Sequence, residues 1–187
     1  MIFETERLIV RKAAPLPHDI NFLLKLWTTP EVMILVGFPN GLRITADDIR
    51  HQIENQSETE YDQTLVVILK TDRTPIGECK LGSPDDSGVS ETDVKLLSEF
   101  WGHGYGKEIK QALVDYLFTH TNCNAVRATP NQANVASQKM QEAVGAVRIT
   151  EGIYHFPPHM REYTVDVPHY VYELTRDTWM SRRQSNR

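Results

Sequence analysis

Cysteine is nearly absent from this chain: Cys79 and Cys123 are the only two among 187 residues. Two thiols give no framework of bridges and suit a reducing cytoplasm. No apolar run approaches the ~20 residues that a membrane-spanning helix requires. The opening Met1-Ile2-Phe3-Glu4-Thr5-Glu6-Arg7 lacks the basic-then-apolar pattern of a secretion signal. Positive charge is also in short supply, with 20 basic residues against 25 acidic ones and a net charge of −5, which argues against general nucleic-acid binding. These absences predict a cytoplasmic protein with neither a membrane nor a nucleic-acid partner. What remains is ordinary globular composition, 40% apolar and 24% charged, enough to bury a core.

Apolar periodicity divides the chain into alternating strands and helices. Leu8 and Val10 alternate with Arg7, Ile9 and Arg11, a strand over residues 5–12. Asp19 is placed to cap a helix carrying Ile20, Leu23, Leu24 and Trp27. Thr45-Ala46-Asp47-Asp48 is close to a capping box and opens a helix with Ile49 and Ile53. Residues 65–69, 76–81 and 90–97 read as three successive meander strands. Ile109, Ala112, Leu113, Tyr116 and Leu117 then form the clearest amphipathic stripe, with Lys107, Lys110 and Asp115 on other faces. A strand over 125–129 precedes a helix through Ala136, Met140, Ala143 and Val144 that Gly145 ends. Residues 147–150 read as a strand, 152–160 as a loop, and 163–167 and 169–174 as closing strands. Residues 178–187 look like a frayed basic tail behind one domain over 1–177. The order predicts an α/β (α+β) domain: a mixed, mostly antiparallel twisted sheet flanked by helices.

Trp101-Gly102-His103-Gly104-Tyr105-Gly106-Lys107 joins a strand ending in Val94, Leu96 and Leu97 to the amphipathic helix. Glycine permits positive φ and close approach of a ligand to the main chain. The helix then opens with unpaired N–H groups and the positive end of its dipole. Strand, glycine turn and helix N-terminus make an anion cradle, most often for phosphate. A Walker loop would need Ser or Thr after Gly106-Lys107, where Glu108 stands. A dinucleotide fingerprint spaces its glycines differently and follows no antiparallel meander.

Phe100-Trp101-Gly102-His103-Gly104-Tyr105-Gly106-Lys107-Glu108 resembles the acyl-CoA pyrophosphate loop of the GNAT acetyltransferases. Within that superfamily it is most similar to the ribosomal-protein N-terminal acetyltransferases of the RimJ/RimL type. Thr5-Glu6-Arg7-Leu8-Ile9-Val10-Arg11 matches that group's opening strand, and Pro75-Ile76-Gly77-Glu78 its central hairpin. Asn131-Gln132-Ala133-Asn134-Val135-Ala136-Ser137 with Gly145 matches its second CoA-side helix. The resemblance spans nearly the whole chain.

It implies acetyl-CoA as cosubstrate, no metal, and direct transfer to an amine, either a small molecule or a peptide N-terminus. Trp101, Gly102, His103, Gly104, Tyr105, Gly106 and Lys107 would hold the pyrophosphate. His103 is either a donor to phosphate or a surface histidine. Main-chain groups near Leu96 and Leu97 would pair with the pantetheine arm, and Asn134 would bond to it. Glu91 is implied as the base, with Asp93, placed on the opposite face, and Glu78 as alternatives. Ser137 falls where the thiol-side acid is proposed, and Gln141 replaces the helix-side tyrosine used elsewhere in the superfamily. Asp93 for glycine and Ala146 for phenylalanine depart from the pattern and leave the acceptor open. A homodimer is a candidate assembly. The spacing of His155, His159 and His169, with no nearby cysteine pair, speaks against a zinc site. The rival readings are a catalytically silent CoA-binding protein and a nucleotide-binding domain using the same loop.

Overall fold

The structure, a computed structural model, is described for residues 1–185. Its first half contains β1 (Phe3–Glu4), β2 (Leu8–Lys12), α1 (Pro17–Thr28), α2 (Pro30–Met33), α3 (Ala46–Glu54), β3 (Leu65–Leu69), β4 (Pro75–Leu81) and β5 (Val89–Leu96). Then come α4 (Tyr105–His120), β6 (Ala125–Ala128), α5 (Val135–Ala143), β7 (Val147–Tyr154), β8 (Val167–Thr175) and α6 (Arg176–Ser185). The strands form one sheet in the order β1-β2-β3-β4-β5-β6-β8-β7. Every neighbouring pair is antiparallel except β5 with β6, which run parallel. The expected mixed, mostly antiparallel sheet is therefore present.

Strand alternation builds a core on each side of the sheet. On β3, Leu65 and Val67 pack with Ile109, Leu113, Val114 and Leu117 of α4, while Val66 and Ile68 pack with Ile20, Leu23 and Leu26 of α1 and Ile49 of α3. The Thr45 capping box is formed: its side chain accepts from the Asp48 N–H, and Asp48 accepts from the Thr45 backbone.

Several expectations need correction. Helix α1 begins at Pro17 with Leu16 as N-cap, so Asp19 lies inside the first turn. Proline at the first helical position needs no N–H partner and has its φ already set, which starts the helix early. Asp19 instead accepts two bonds from Arg11, at 2.6 and 2.7 Å, and one from the Ala14 N–H at 2.7 Å. Strand β7 continues through Tyr154, past a register shift between Arg148 and Thr150, so residues 152–154 are not loop. Residues 163–166 form no strand, β8 beginning only at Val167; the Val165 N–H bonds to the Gly37 carbonyl, packing this loop against the turn after α2.

The supposed frayed tail is helix α6 as far as Ser185; residues 186 and 187 lie outside the described part. Trp179 secures it, 5.2 Å from the Phe118 ring and donating to Asp115 at 2.6 Å. On α5 Ala136 is exposed, and the inward residues are Gln141 and the capping Val144. Lys110, read as outward, is buried against the sheet.

Candidate active site

The sheet opens at its centre because β6 is short. It pairs with β5 only at Val89↔Ala125, Ser90↔Val126 and Glu91↔Arg127, then stops at Ala128 before Pro130, which has no N–H to offer. Strand β5 runs on through Leu96, held from its other edge by β4. Alternate residues of a strand direct their main-chain groups to opposite edges. The Glu91 carbonyl accepts from Gly82 and the Leu97 N–H donates to Ile76, both on the β4 side. Thr92, Val94 and Leu96 consequently turn theirs into the gap. The Leu96 carbonyl is taken there by the Trp101 indole N–H at 2.8 Å. The Val94 N–H is taken by its neighbour's carboxylate, Asp93 Oδ1, at 2.9 Å, so this edge is left with the Val94 carbonyl as acceptor and the Leu96 N–H as donor. Leu97 adds no donor, since its N–H is engaged and its side chain belongs to the α1 core.

The gap leads to the glycine loop. Gly102 and Gly104 have φ of 78° and 82°, and a Cβ at Gly102 would meet nothing within 4 Å. One at Gly104 would meet only an Arg7 nitrogen at 3.5 Å. Both glycines therefore face open space. Gly104 is the N-cap of the 16-residue helix α4 and supplies no side-chain cap. The first intrahelical bond runs from Glu108 N–H to the Gly104 carbonyl, so the N–H groups of Tyr105, Gly106 and Lys107 point forward ahead of it. Trp101, His103 and Lys107 are exposed around them. His103 stacks with Tyr105 at 5.8 Å. Gly106 serves another purpose: a Cβ there would press on the Met140 sulfur at 3.2 Å, so it lets α5 close on α4.

A clamp from residues 5–7, which form the turn between β1 and β2 and not the start of a strand as expected, holds this loop. Arg7 bonds to Glu108 through Nε at 2.7 Å, to the His103 carbonyl at 3.0 Å, and lies 4.5 Å from the Tyr105 ring centre. The Arg7 N–H and the Thr5 hydroxyl also donate to Glu108. Burial opposes ionisation of Glu108, but these bonds outweigh it and hold its carboxyl below the usual range. The motif Thr5-Glu6-Arg7 looked from sequence like strand edge alone. A charged pair a hundred residues apart leaves no local signal.

The candidate bases share one face of β5. Asp93 is not opposite Glu91 as expected, because residues two apart in a strand project to the same side. Glu78 joins them from β4, facing Lys95 in register. Lys95 binds both Asp93 and, at 3.1 Å, Glu78. Desolvation works against both charges of the Asp93–Lys95 pair, yet the pairing prevails: Asp93 is held low and Lys95 high. Arg127, beside Glu91 in register, is bound to Glu173 at 2.7 Å. Of the three carboxylates, Glu91 alone is exposed with no ion pair among the described residues.

On α5, Asn134 is the N-cap: its side-chain oxygen accepts the Ser137 N–H at 3.0 Å, and its amide NH2 group has no partner among the described residues. Ser137 is half-buried in the first turn. Gln141 is buried, and its Oε1 has no partner among the described residues. His155 pairs with Asp166 at 2.8 Å. Among the described residues no group of three or more His, Cys, Asp or Glu could hold a metal ion. No helix there is long and apolar enough to cross a membrane.

Comparison with known proteins places this geometry. Residues 7–147 match the family described as the acetyltransferase (GNAT) domain. The uncharacterized N-acetyltransferase p20 of Bacillus licheniformis is 27% identical over 175 residues, covering 92% of this chain and 94% of that protein. An acetyltransferase of the GNAT family from Bacillus anthracis superposes with a TM-score of 0.73 at 22% identity, covering 93% of this chain and 98% of that one. The spermidine N-acetyltransferase of Vibrio cholerae, solved with CoA and spermine, gives 0.75 at 16% identity, covering 92% and 98%. An aminoglycoside acetyltransferase, AAC(6')-Ib, solved with coenzyme A, gives 0.68 at 19%, covering 94% and 99%. An interrupted sheet, an uncapped glycine-bounded helix and a family match over most of the chain agree, and the protein belongs to the GNAT acetyltransferases.

Proposed function

We propose that the chain transfers an acetyl group from acetyl-CoA to an amine, both substrates being bound together. One observation carries the reading: a stretch of β5 edge with no partner strand leads directly to three forward-pointing N–H groups at an uncapped helix end. A chain of amides fits the first, adding to the sheet as a short strand through the Val94 carbonyl and the Leu96 N–H. A pyrophosphate fits the second, where Gly102 and Gly104 leave room and Lys107 adds charge. Trp101, His103 and Tyr105 border the same cradle. Asn134 and Ser137 reach the arm from α5. The Val94 N–H, held by the Asp93 carboxylate, would polarise the thioester carbonyl only on release from it, which leaves the Leu96 N–H as the free donor on this edge.

Glu91 removes the acceptor's ammonium proton, directly or through water. The two rival carboxylates share the single Lys95 ammonium, and Glu91 has no such partner among the described residues. Spermine and aminoglycoside complexes among the structural neighbours support an amine acceptor, small molecule or peptide N-terminus. The RimJ/RimL-like assignment rests on Trp101 and Glu91.

Thermal shift with acetyl-CoA, CoA, ATP and NAD tests the donor: the first two raise Tm by binding the folded state, and stabilisation by ATP alone refutes the reading. Acetyl-CoA with polyamines, aminoglycosides and N-terminal peptides then yields a product heavier by one acetyl group. CoA binding without transfer to any of them would instead identify a silent CoA-binding protein.

A further inference from the structure

Beneath the closed end of the gap lies a charged group that the chemistry above does not use. Lys110 of α4 is 2% exposed, and its ammonium donates to the Thr92 hydroxyl oxygen. An ammonium has three donors and no acceptor, so Thr92 satisfies only one of them. Thr92 is the first residue of β5 beyond its last pair with β6. Its side chain lies on the α4 face, like that of Ser90, whose buried Oγ has no partner among the described residues. Because Lys110 donates to the Thr92 oxygen, the hydroxyl proton is free to point toward the gap. Gln141 has no acidic proton to give a departing thiolate. The Ser137 hydroxyl has no proton source behind it among the described bonds. A buried ammonium with one partner is expensive, and methionine would fill a similar volume without that penalty. A costly group that a simpler one could replace points to function.

We propose that Thr92 and Lys110 form the thiol-side proton donor of the transfer reaction. The Thr92 hydroxyl contacts the departing sulfur, and Lys110, acting through it, replaces the proton. This rests on the reading of the gap as the seat of the pantetheine arm. As the tetrahedral adduct collapses, the carbon–sulfur bond breaks and its electron pair remains on sulfur. The Thr92 proton moves to sulfur and a Lys110 proton moves to the Thr92 oxygen. The acceptor ammonium releases two protons in all; one restores the lysine charge through solvent and the other is the net proton released.

The surroundings favour such a donor. Burial pushes Lys110 down to about 7, against a smaller upward pull from Asp93 on the far side of β5. From β4 it is faced by Cys79, whose thiol burial keeps neutral. On the α4-covered side stand also Tyr172 of β8, whose phenol burial pushes up, its partner Glu142 of α5, bonded at 3.0 Å, and, in or against the same core, Cys123, Tyr61, Tyr105, Tyr116 and Tyr170. Along α4 itself, Lys107 and Glu108 lie at the loop and Asp115 at the α6 contact. Lys110 can therefore give up a proton near neutrality.

The test needs no acceptor. The thiol of CoA bound to the full-length protein is titrated through the ultraviolet absorbance of its thiolate. A thiolate formed beside Lys110 draws a proton back onto the lysine and pairs with it, so wild type is expected to lower the thiol pKa by at least one unit, a tenfold shift, relative to free CoA. Lys110→Met and Thr92→Val lose that shift, and Thr92→Ser keeps it, which a packing role for Thr92 would not predict. Lys110→Met removes a buried charge, so a retained Tm shows that the loss is not unfolding. If all four proteins bind CoA and titrate alike, or if only Ser137→Ala abolishes the shift, the assignment is wrong. Failure of the wild type to bind CoA would strike the functional reading itself, a separate outcome.

Discussion

Replacing Lys110 by methionine should make the protein more stable in acid and less so in alkali, an unusual consequence for a surface-type residue. In wild type the folded-state pKa is about 7 against an ordinary 10.5. Above 10.5 neither state holds the proton; between the two values the unfolded chain binds it and the folded one does not; below 7 both do. Lowered folded affinity means stability falls as pH drops from 10.5 toward 7 and then levels off. At about 1.36 kcal/mol per unit, the full penalty is roughly 5 kcal/mol below pH 7 and roughly 2 at pH 9. Methionine removes this but leaves the buried Thr92 hydroxyl without its partner, which costs about 1–3 kcal/mol at any pH. The constant part cancels when two pH values are compared. The advantage of Lys110→Met over wild type should therefore be greater at pH 6 than at pH 9 by roughly 2.5–3 kcal/mol. Urea denaturation of both proteins at both pH values measures it. An equal difference at pH 6 and pH 9 would show that Lys110 titrates normally and refute the reasoning.

Gly102→Ala adds a Cβ that touches nothing in the free protein but projects into the proposed pyrophosphate site. Its positive φ should lower stability by about 1–2 kcal/mol, while acetyl-CoA affinity falls tenfold or more by calorimetry. Unchanged affinity would mean that the ligand lies elsewhere. Glu91→Gln should reduce kcat by about 10²–10⁴ while leaving the acetyl-CoA Kd near wild type. Arg7→Ala breaks the clamp on Glu108; discounting for its exposed side chain, about 1–2 kcal/mol and a few degrees of Tm should be lost, with a higher KM for acetyl-CoA. The Glu108 carboxyl is held low, so its stabilisation is complete above the ordinary glutamate range and disappears as pH falls through its lowered value. In Glu108→Gln that acid-side loss should be missing from a pH series of denaturation midpoints.

Much of the fold was legible because it is local. The Thr45 box, the alternation of Leu8 and Val10 and the stripe from Ile109 to Leu117 each declare their element within a few residues. The glycine loop was legible for the same reason, since φ, cap and helix start are set by consecutive residues. Legibility failed where distant partners decide. Residues 152–154 are strand because β8 offers them an edge, although Gly152 and the following Pro157-Pro158 suggest a loop. Arg176–Ser185 is ordered because Trp179 finds Phe118 and Asp115. Lys110 was read outward because lysine usually is. Among the bases, the family resemblance put Glu91 ahead of Asp93 and Glu78, and the position of Lys95 between the last two supplies a physical ground for that order.

The central claim is that acetyl-CoA lies along the free edge of β5 with its pyrophosphate on the glycine loop. Amide chemical shifts during an acetyl-CoA titration test it directly. The largest changes should fall on Val94, Leu96, Gly102 and the α4 donors Tyr105, Gly106 and Lys107. Saturable binding that leaves those amides unmoved would contradict it.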